Sequence, residues 1–245
     1  MFNRKKILLV SFFFLTSCNA GQPMVTDEVI KADKELKDGA PQAALELLRG
    51  HLAEHPNNAE TLTELGKVNA ALGRNEAAAL YFQKALKIKP QSLGANKGLA
   101  KLELQKNPAE AQKILLSLTQ SYPRDARSLV DLGVSYDLMG HYAQAQESYK
   151  RAMYIDPMLI SAQSNLALSY AFSGYYDKAL ELIAPLATAP DTSTLKIRNN
   201  FALVQYLAGY TSEAQRTLMQ DMDVHQAVLV LNGFSKFKNQ PMQNK

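Results

Sequence analysis

The sequence predicts an all-α protein, built as a solenoid of about six helical hairpins and closed by a C-terminal capping helix. Residues 126–159 hold two amphipathic helical patterns, and in the first of them Leu129, Leu132 and Tyr136 follow one another at helical spacing. A turn at Gly140 separates the two patterns, and Pro157 ends the second. The apolar face of such a hairpin is too large to bury alone, so we expect each copy to stack on its neighbours.

Three classes of residue repeat this hairpin along the chain with nearly constant spacing. Small residues of the second helix are spaced by 34, 33, 34, 34 and 35 positions, at Ala44, Ala78, Ala111, Ala145, Ala179 and Ala214. Turn residues between the two helices keep the same step, at Gly39, Gly73, Asn107, Gly140, Gly174 and Gly209. Prolines end most units, at Pro56, Pro90, Pro123, Pro157 and Pro190. The agreement of three residue classes predicts a repeat protein.

This pattern resembles the tetratricopeptide repeat (TPR) family over about residues 25–228. The family's order of Leu-Gly, aromatic, small residue and proline is clear in Leu132-Gly133, Tyr149, Ala152 and Pro157. A second clear copy is formed by Leu65-Gly66, Phe82, Ala85 and Pro90. The family's tryptophan is replaced by leucine in both copies, at Leu62 and Leu129. The resemblance implies a right-handed TPR solenoid over residues 25–233.

The N-terminal residues differ in character from this repeat region. Arg4, Lys5 and Lys6 precede an apolar run that is too short to span a bilayer as a helix. We therefore expect residues 1–17 to be a cleaved signal peptide, although an ordinary secretory signal is an alternative. The ending Leu15-Thr16-Ser17-Cys18 resembles the bacterial lipobox, which implies lipidation of Cys18. Asn19 in place of aspartate implies, by the same resemblance, the periplasmic face of the outer membrane.

Composition narrows the possible functions further. Cys18 is the only cysteine, so the sequence offers no disulfide framework and no cysteine metal site. The formal charge is 27 − 23 = +4, and loss of Arg4, Lys5 and Lys6 with the signal leaves 24 − 23 = +1. The basicity therefore lies mostly in the targeting signal, and nothing favours nucleic-acid binding.

We expect the mature chain to begin with a short tether, residues 18–24, and to end with a disordered tail, residues 234–245. Gly233 is expected to stop the capping helix. The predicted units are 25–58, 59–92, 93–125, 126–159, 160–194 and 195–228. The first helix of the first unit carries polar residues, as in the N-terminal cap of a solenoid.

One stretch matches a catalytic motif. His51-Leu52-Ala53-Glu54-His55 has the H-x-x-E-H order of inverted zinc proteases. However, His51 occupies the packing column that holds Ala85 and Ala152 in other units, and no further acidic ligand is identifiable. We therefore expect no enzymatic activity, no metal and no cofactor, with zinc hydrolysis kept as a minor alternative.

Function must then reside in the surface, because TPR proteins bind partners along their first helices. By this analogy the early units present polar side chains, and the late units present an apolar groove for a helix or an extended peptide. The groove residues predicted in this way are Val134, Leu138, Leu168, Phe172, Leu203, Tyr206 and Leu207. Alternatively, some of these side chains belong to the core or lie beneath the C-terminal helix.

A narrower resemblance concerns the chain as a whole. The lipobox, the six units, the stretches 198–203 and 207–210, and a closing helix at 225–232 resemble the TadD family of tight-adherence (Flp) pilus assembly lipoproteins. This resemblance implies a scaffold that assists the outer-membrane secretin or other pilus assembly components. Two alternatives remain, a type IV pilotin and a TPR lipoprotein that regulates a peptidoglycan enzyme. The sequence does not name the partner.

Overall fold

The structure is a computed structural model that describes residues 26–238. The predicted signal peptide, the lipidation site Cys18, the tether and residues 239–245 lie outside the described residues. Within residues 26–238 the secondary structure is entirely helical, in thirteen helices. They are α1 (Asp27–Lys37), α2 (Pro41–Glu54), α3 (Ala59–Ala71), α4 (Asn75–Ile88), α5 (Leu93–Lys106), α6 (Pro108–Ser121), α7 (Ala126–Leu138), α8 (Tyr142–Ile155), α9 (Ile160–Phe172), α10 (Tyr176–Thr188), α11 (Leu195–Leu207), α12 (Thr211–Leu218) and α13 (Val224–Lys238).

Consecutive helices pair as hairpins, and each hairpin packs on the next. The predicted all-α solenoid is therefore confirmed. Five of the six hairpin turns contain a glycine with positive φ, for example Gly140 at 76°, a conformation that glycine adopts without strain. The remaining turn uses Asn107, whose side chain accepts a hydrogen bond from the backbone N–H of Glu110 and caps α6, while Pro108 occupies its first turn.

The core of the solenoid is made of small residues from the second helices and aromatic or aliphatic residues that fill the space between units. All six alanines of the predicted column are fully buried, at Ala44, Ala78, Ala111, Ala145, Ala179 and Ala214. In the fourth unit the ring of Tyr149 lies against Gly133, where an added methyl group would come within 2.4 Å of the ring. Close approach of the two helices in this hairpin therefore requires glycine at this position.

The C-terminal helix departs from the prediction. α13 runs through Gly233 to Lys238, whereas we predicted that it ends at Gly233 and that residues 234–238 begin a disordered tail. Glycine inside a helix costs about 1 kcal/mol, but Phe234 packs on the buried clusters of α11 and recovers burial there. Leu231 and Ala227 of α13 pack against Leu218 of α12. α13 thus covers the end of the last hairpin.

Within residues 26–238 no helix combines the length and the hydropathy needed to cross a membrane.

Candidate partner-binding groove

The first helices of the units form the inner face of the solenoid. α1 packs on α3, α3 on α5, α5 on α7, α7 on α9 and α9 on α11. Successive second helices make no direct packing of that extent within the described residues. Because the first helices approach one another more closely, the stack curves around them. Their free side chains therefore line a groove, which is where sequence reasoning placed the partner site.

The early part of this groove carries charged side chains, and two of its lysines form ion pairs. The Lys67 ammonium lies 2.6 Å from a carboxylate oxygen of Glu64 on the same helix. The Lys97 ammonium of α5 lies 2.9 Å from the Asp125 carboxylate, which also caps α7. Both side chains of the second pair are about one-fifth exposed, so this ion pair links α5 to the start of α7 and does not stand free in solvent.

The later part of the groove is apolar, but two of the seven predicted residues are buried and a third contacts α13. Leu203 and Leu207 are buried in a cluster with residues of α9 and α10, and Phe234 of α13 packs on that cluster. The Tyr206 ring lies 5.9 Å from the Phe234 ring. Leu203 and Leu207 are therefore not exposed as partner surface, because packing of α9, α10 and α11 encloses them in one cluster. Tyr206 is half-buried, like the residues of the open part, and its assignment to the partner site stays a prediction.

The other four predicted residues remain together in the open part of the groove. Val134, Leu168 and Phe172 are half-buried, and Leu138 is 56% exposed. They line a cavity of about 300 Å³ between α7, α8, α9 and the end of α13, which we call the aromatic pocket. Its lining residues are Val134, Asp137, Leu138, Tyr142, Tyr149, Asn165, Leu168, Phe172 and Phe237.

Three rings shape the mouth of the aromatic pocket. Phe172 is in contact with both of the others, since its ring centroid lies 6.4 Å from that of Tyr142 and 5.7 Å from that of Phe237. The pairs are offset or tilted, as aromatic side chains prefer. Sequence reasoning missed Phe237 because it was placed in the predicted tail. The spacing of Val230, Phe234 and Phe237, which continues a helical period past Gly233, is the signal that identifies it.

A carboxylate lies at the floor of this pocket. The Asp137 carboxylate accepts hydrogen bonds of 2.7 Å from the Tyr149 hydroxyl and 2.7 Å from the Ser169 hydroxyl. Burial raises the pKa of Asp137 to about 6, and the two hydrogen bonds offset this effect only in part. Burial, followed by the nearby Asp137 charge, likewise raises the pKa of Tyr142. The pocket thus combines apolar walls with one half-buried acidic group, Asp137, which the sequence pattern did not indicate.

The H-x-x-E-H motif has a structural explanation. His51 is buried, and its Nδ1 and Nε2 atoms lie 2.8 Å and 3.1 Å from the hydroxyl oxygens of Thr61 and Thr26. The ring of His55 lies 4.6 Å away. Both ring nitrogens of His51 are therefore engaged in hydrogen bonds with these hydroxyl groups. Within the described residues there is no group of three histidine, cysteine, aspartate or glutamate side chains placed to hold a metal ion.

Comparison with known proteins identifies the repeat. Models of the tetratricopeptide repeat match residues 31–92 and 126–157. One curated protein, the CTR9 homolog of Arabidopsis thaliana, is 30% identical over 107 residues, which is 42% of this chain. The matched region of this chain spans only 10% of that protein's length. The chain thus carries tetratricopeptide repeats.

Solved structures share the fold over most of the chain. PilW, described as a widely conserved type IV pilus biogenesis factor, has a TM-score of 0.74 at 17% identity, covering 85% of this chain and all of PilW. PilF of Pseudomonas aeruginosa has a TM-score of 0.69 at 19% identity, covering 85% of this chain and 95% of PilF. A thermophilic TPR protein of Thermus thermophilus has a TM-score of 0.63 at 23% identity, covering 73% of this chain and 97% of that protein. At these identities the likeness establishes the TPR solenoid fold.

Proposed function

We propose that this TPR protein is a lipid-anchored scaffold in the assembly of a tight-adherence (Flp) pilus or secretion machine, and that its partner is the outer-membrane secretin. The observation that carries the proposal is the open aromatic pocket on the inner face of the solenoid. A concave, largely apolar recess with a few polar groups is typical of a binding site. A groove of stacked helices accommodates a helical or extended segment of a partner.

Two further observations support the pilus assignment. The fold is similar to that of PilW along the whole of PilW, and the likeness covers 85% of this chain. The N-terminal sequence Leu15-Thr16-Ser17-Cys18 has the form of a lipobox. A protein tethered through Cys18 would hold its groove within a few nanometres of the membrane in which a secretin assembles. Outer-membrane placement, which Asn19 favours, belongs to the same proposal.

A type IV pilotin is the second candidate function, and the fold likeness to PilW and PilF favours it. Both candidates use the same groove and the same class of partner, and they differ in which secretin is bound. Regulation of a peptidoglycan enzyme remains the alternative from another functional class. Identification of the bound protein separates the three.

Site-specific photo-crosslinking in the native organism tests this proposal. A photo-reactive residue at Leu138, which is 56% exposed at the aromatic pocket, should crosslink to the secretin of a tight-adherence system. The same group at Tyr154, which is 91% exposed on a second helix, is the matched control and should not. A Cys18→Ser variant should lose outer-membrane fractionation and leave fewer secretin multimers. A crosslink to a type IV pilus secretin supports the pilotin, and a crosslink to a cell-wall hydrolase rejects both pilus roles.

A further inference from the structure

The aromatic pocket contains an acidic group that has no cationic partner within residues 26–238. Asp137 takes part in none of the ion pairs of that part of the chain, and its hydrogen-bond contacts there are the two hydroxyl groups of Tyr149 and Ser169. Each carboxylate oxygen accepts one of these hydrogen bonds and keeps a free lone pair. A carboxylate in apolar surroundings is costly unless it is paired, so the floor of the pocket favours a positively charged ligand.

The walls of the pocket have the complementary chemistry. Tyr142, Phe172 and Phe237 place three aromatic rings around the opening, and the faces of such rings attract cations. Val134 and Leu168 supply aliphatic surface to the lining of the same pocket. A long side chain with an apolar stem and a charged end can bury the stem along such a wall.

We propose that the aromatic pocket binds an arginine or lysine side chain of the partner protein, with the stem against Val134 and Leu168 and the charged end at Asp137. This inference rests on the proposed function in one respect, that the groove receives a segment of a protein. The bound segment of the partner then carries a cationic side chain at the position that enters the pocket. Arginine and lysine share this chemistry, and the experiment distinguishes them.

The groups around Asp137 make the interaction sensitive to pH. The titratable groups of α8 that face Asp137 are Tyr149 and Tyr142. The neighbouring polar groups of α9 are Ser169 and Asn165, which carry no charge. From α13 the pocket receives Phe237, which is also uncharged. Asp137 is therefore the group that changes charge in this pocket near neutral pH. Protonation of Asp137 removes the attraction for a cation, so binding should weaken as the pH falls below about 6.

Peptide titration of the full-length protein tests this inference without the native partner. The probes are three acetylated and amidated pentapeptides of alanine with arginine, lysine or norleucine in the middle. Binding is followed through the methyl NMR signals of Val134, Leu138 and Leu168. The arginine or lysine peptide should bind saturably at about pH 7.5 and roughly tenfold more weakly near pH 5, where a carboxyl with pKa about 6 is mostly protonated. The norleucine peptide should bind weakly at both pH values.

Two variants and one control make the outcome decisive. Asp137→Asn should abolish the preference for the cationic peptides, and Phe237→Ala should weaken their binding while the carboxylate stays in place. Asp177→Asn, which removes an exposed acid on α10, should change neither. Norleucine binding as well as arginine, unchanged affinity across the pH range, or no saturable methyl shifts would each overturn the inference. The peptides test only the chemistry of the pocket, whereas the crosslink tests the identity of the partner. The peptide titration can therefore fail while the crosslink to the secretin is observed, and the reverse is equally possible.

Discussion

The hydroxyl group of Tyr149 donates a 2.7 Å hydrogen bond to the carboxylate of Asp137. Tyr149 is the aromatic residue of its repeat, and its ring fills the space against Gly133 in the core of the fourth unit. The same side chain therefore holds the hairpin together and fixes the floor of the aromatic pocket. Packing of the repeat and geometry of the candidate site are coupled through this one residue.

The first prediction concerns stability and pH. The pKa of Asp137 is about 6 in the folded protein against an ordinary value of 3.8, so the folded state holds this proton more tightly. The stabilising contribution is complete below about pH 3.8 and is lost as the pH rises through about 6. The loss amounts to about 3 kcal/mol. Urea unfolding of the wild type and of Asp137→Asn between about pH 4 and pH 7 measures it.

Other carboxylates also titrate in this range, so the comparison between variants carries the result. The wild type should lose stability relative to Asp137→Asn as the pH rises. Asp177→Asn should follow the wild type, because Asp177 is exposed. Parallel stability curves for the wild type and Asp137→Asn would show that the Asp137 pKa is not raised by folding.

The second prediction concerns helix packing inside a hairpin. A methyl group at position 133 would lie 2.4 Å from the Tyr149 ring, so Gly133→Ala must displace that ring. We expect a loss of about 1–3 kcal/mol in the free energy of unfolding. Gly50→Ala is the control, since an added methyl group in α2 meets no atom within 4 Å. It should stabilise the protein by roughly 0.5–1 kcal/mol through helix propensity. Equal unfolding midpoints for the two variants would contradict the packing described for Gly133.

The repeat itself could be predicted because its signals are local and recur. Ala145 indicates a close contact between helices, and Gly140 indicates a turn with left-handed backbone conformation. Both signals lie within one hairpin. The same columns recur in the neighbouring units, so errors at single positions do not change the interpretation. Fold class and hairpin register therefore follow from the sequence.

The C-terminal boundary and the covered part of the groove could not be predicted in this way. Gly233 is a stop signal in local terms, but the contacts of Phe234 with α11 and of Phe237 with Phe172 outweigh the cost of glycine in a helix. These contacts join residues far apart in sequence. Leu203 is likewise buried in a cluster with α9 and α10 residues that are distant in sequence. Asp137 escaped notice because its role depends on four helices that meet at one pocket.

The third prediction tests whether α13 is part of the folded body. Leu231 is 7% exposed and packs against α11 and α12, whereas Leu229 on the same helix is 58% exposed. Leu231→Ala should cost about 2 kcal/mol or more, in the range of buried leucine truncations. Leu229→Ala should change stability by no more than about 0.5 kcal/mol. Thermal unfolding of both variants checks this, and equal melting temperatures would mean that α13 is not docked as described.

The last prediction separates the open part of the groove from the covered part. Leu168 and Phe172 are half-buried at the aromatic pocket, so a double change to lysine places positive charges where solvent can reach them and where they repel a cationic partner segment. The variant should remain helical and lose about 1–3 kcal/mol in all, because both side chains pack only in part on the buried cluster. It should also fail to crosslink to its partner through a photo-reactive group at Leu138. Leu203→Lys is the contrasting variant, because Leu203 is 8% exposed and an unpaired charge there costs several kcal/mol. Circular dichroism and melting temperature give the fold, and crosslinking yield gives the binding. A folded double variant with an undiminished crosslink would reject the pocket as the partner site, and an unfolded one would place Leu168 and Phe172 in the core.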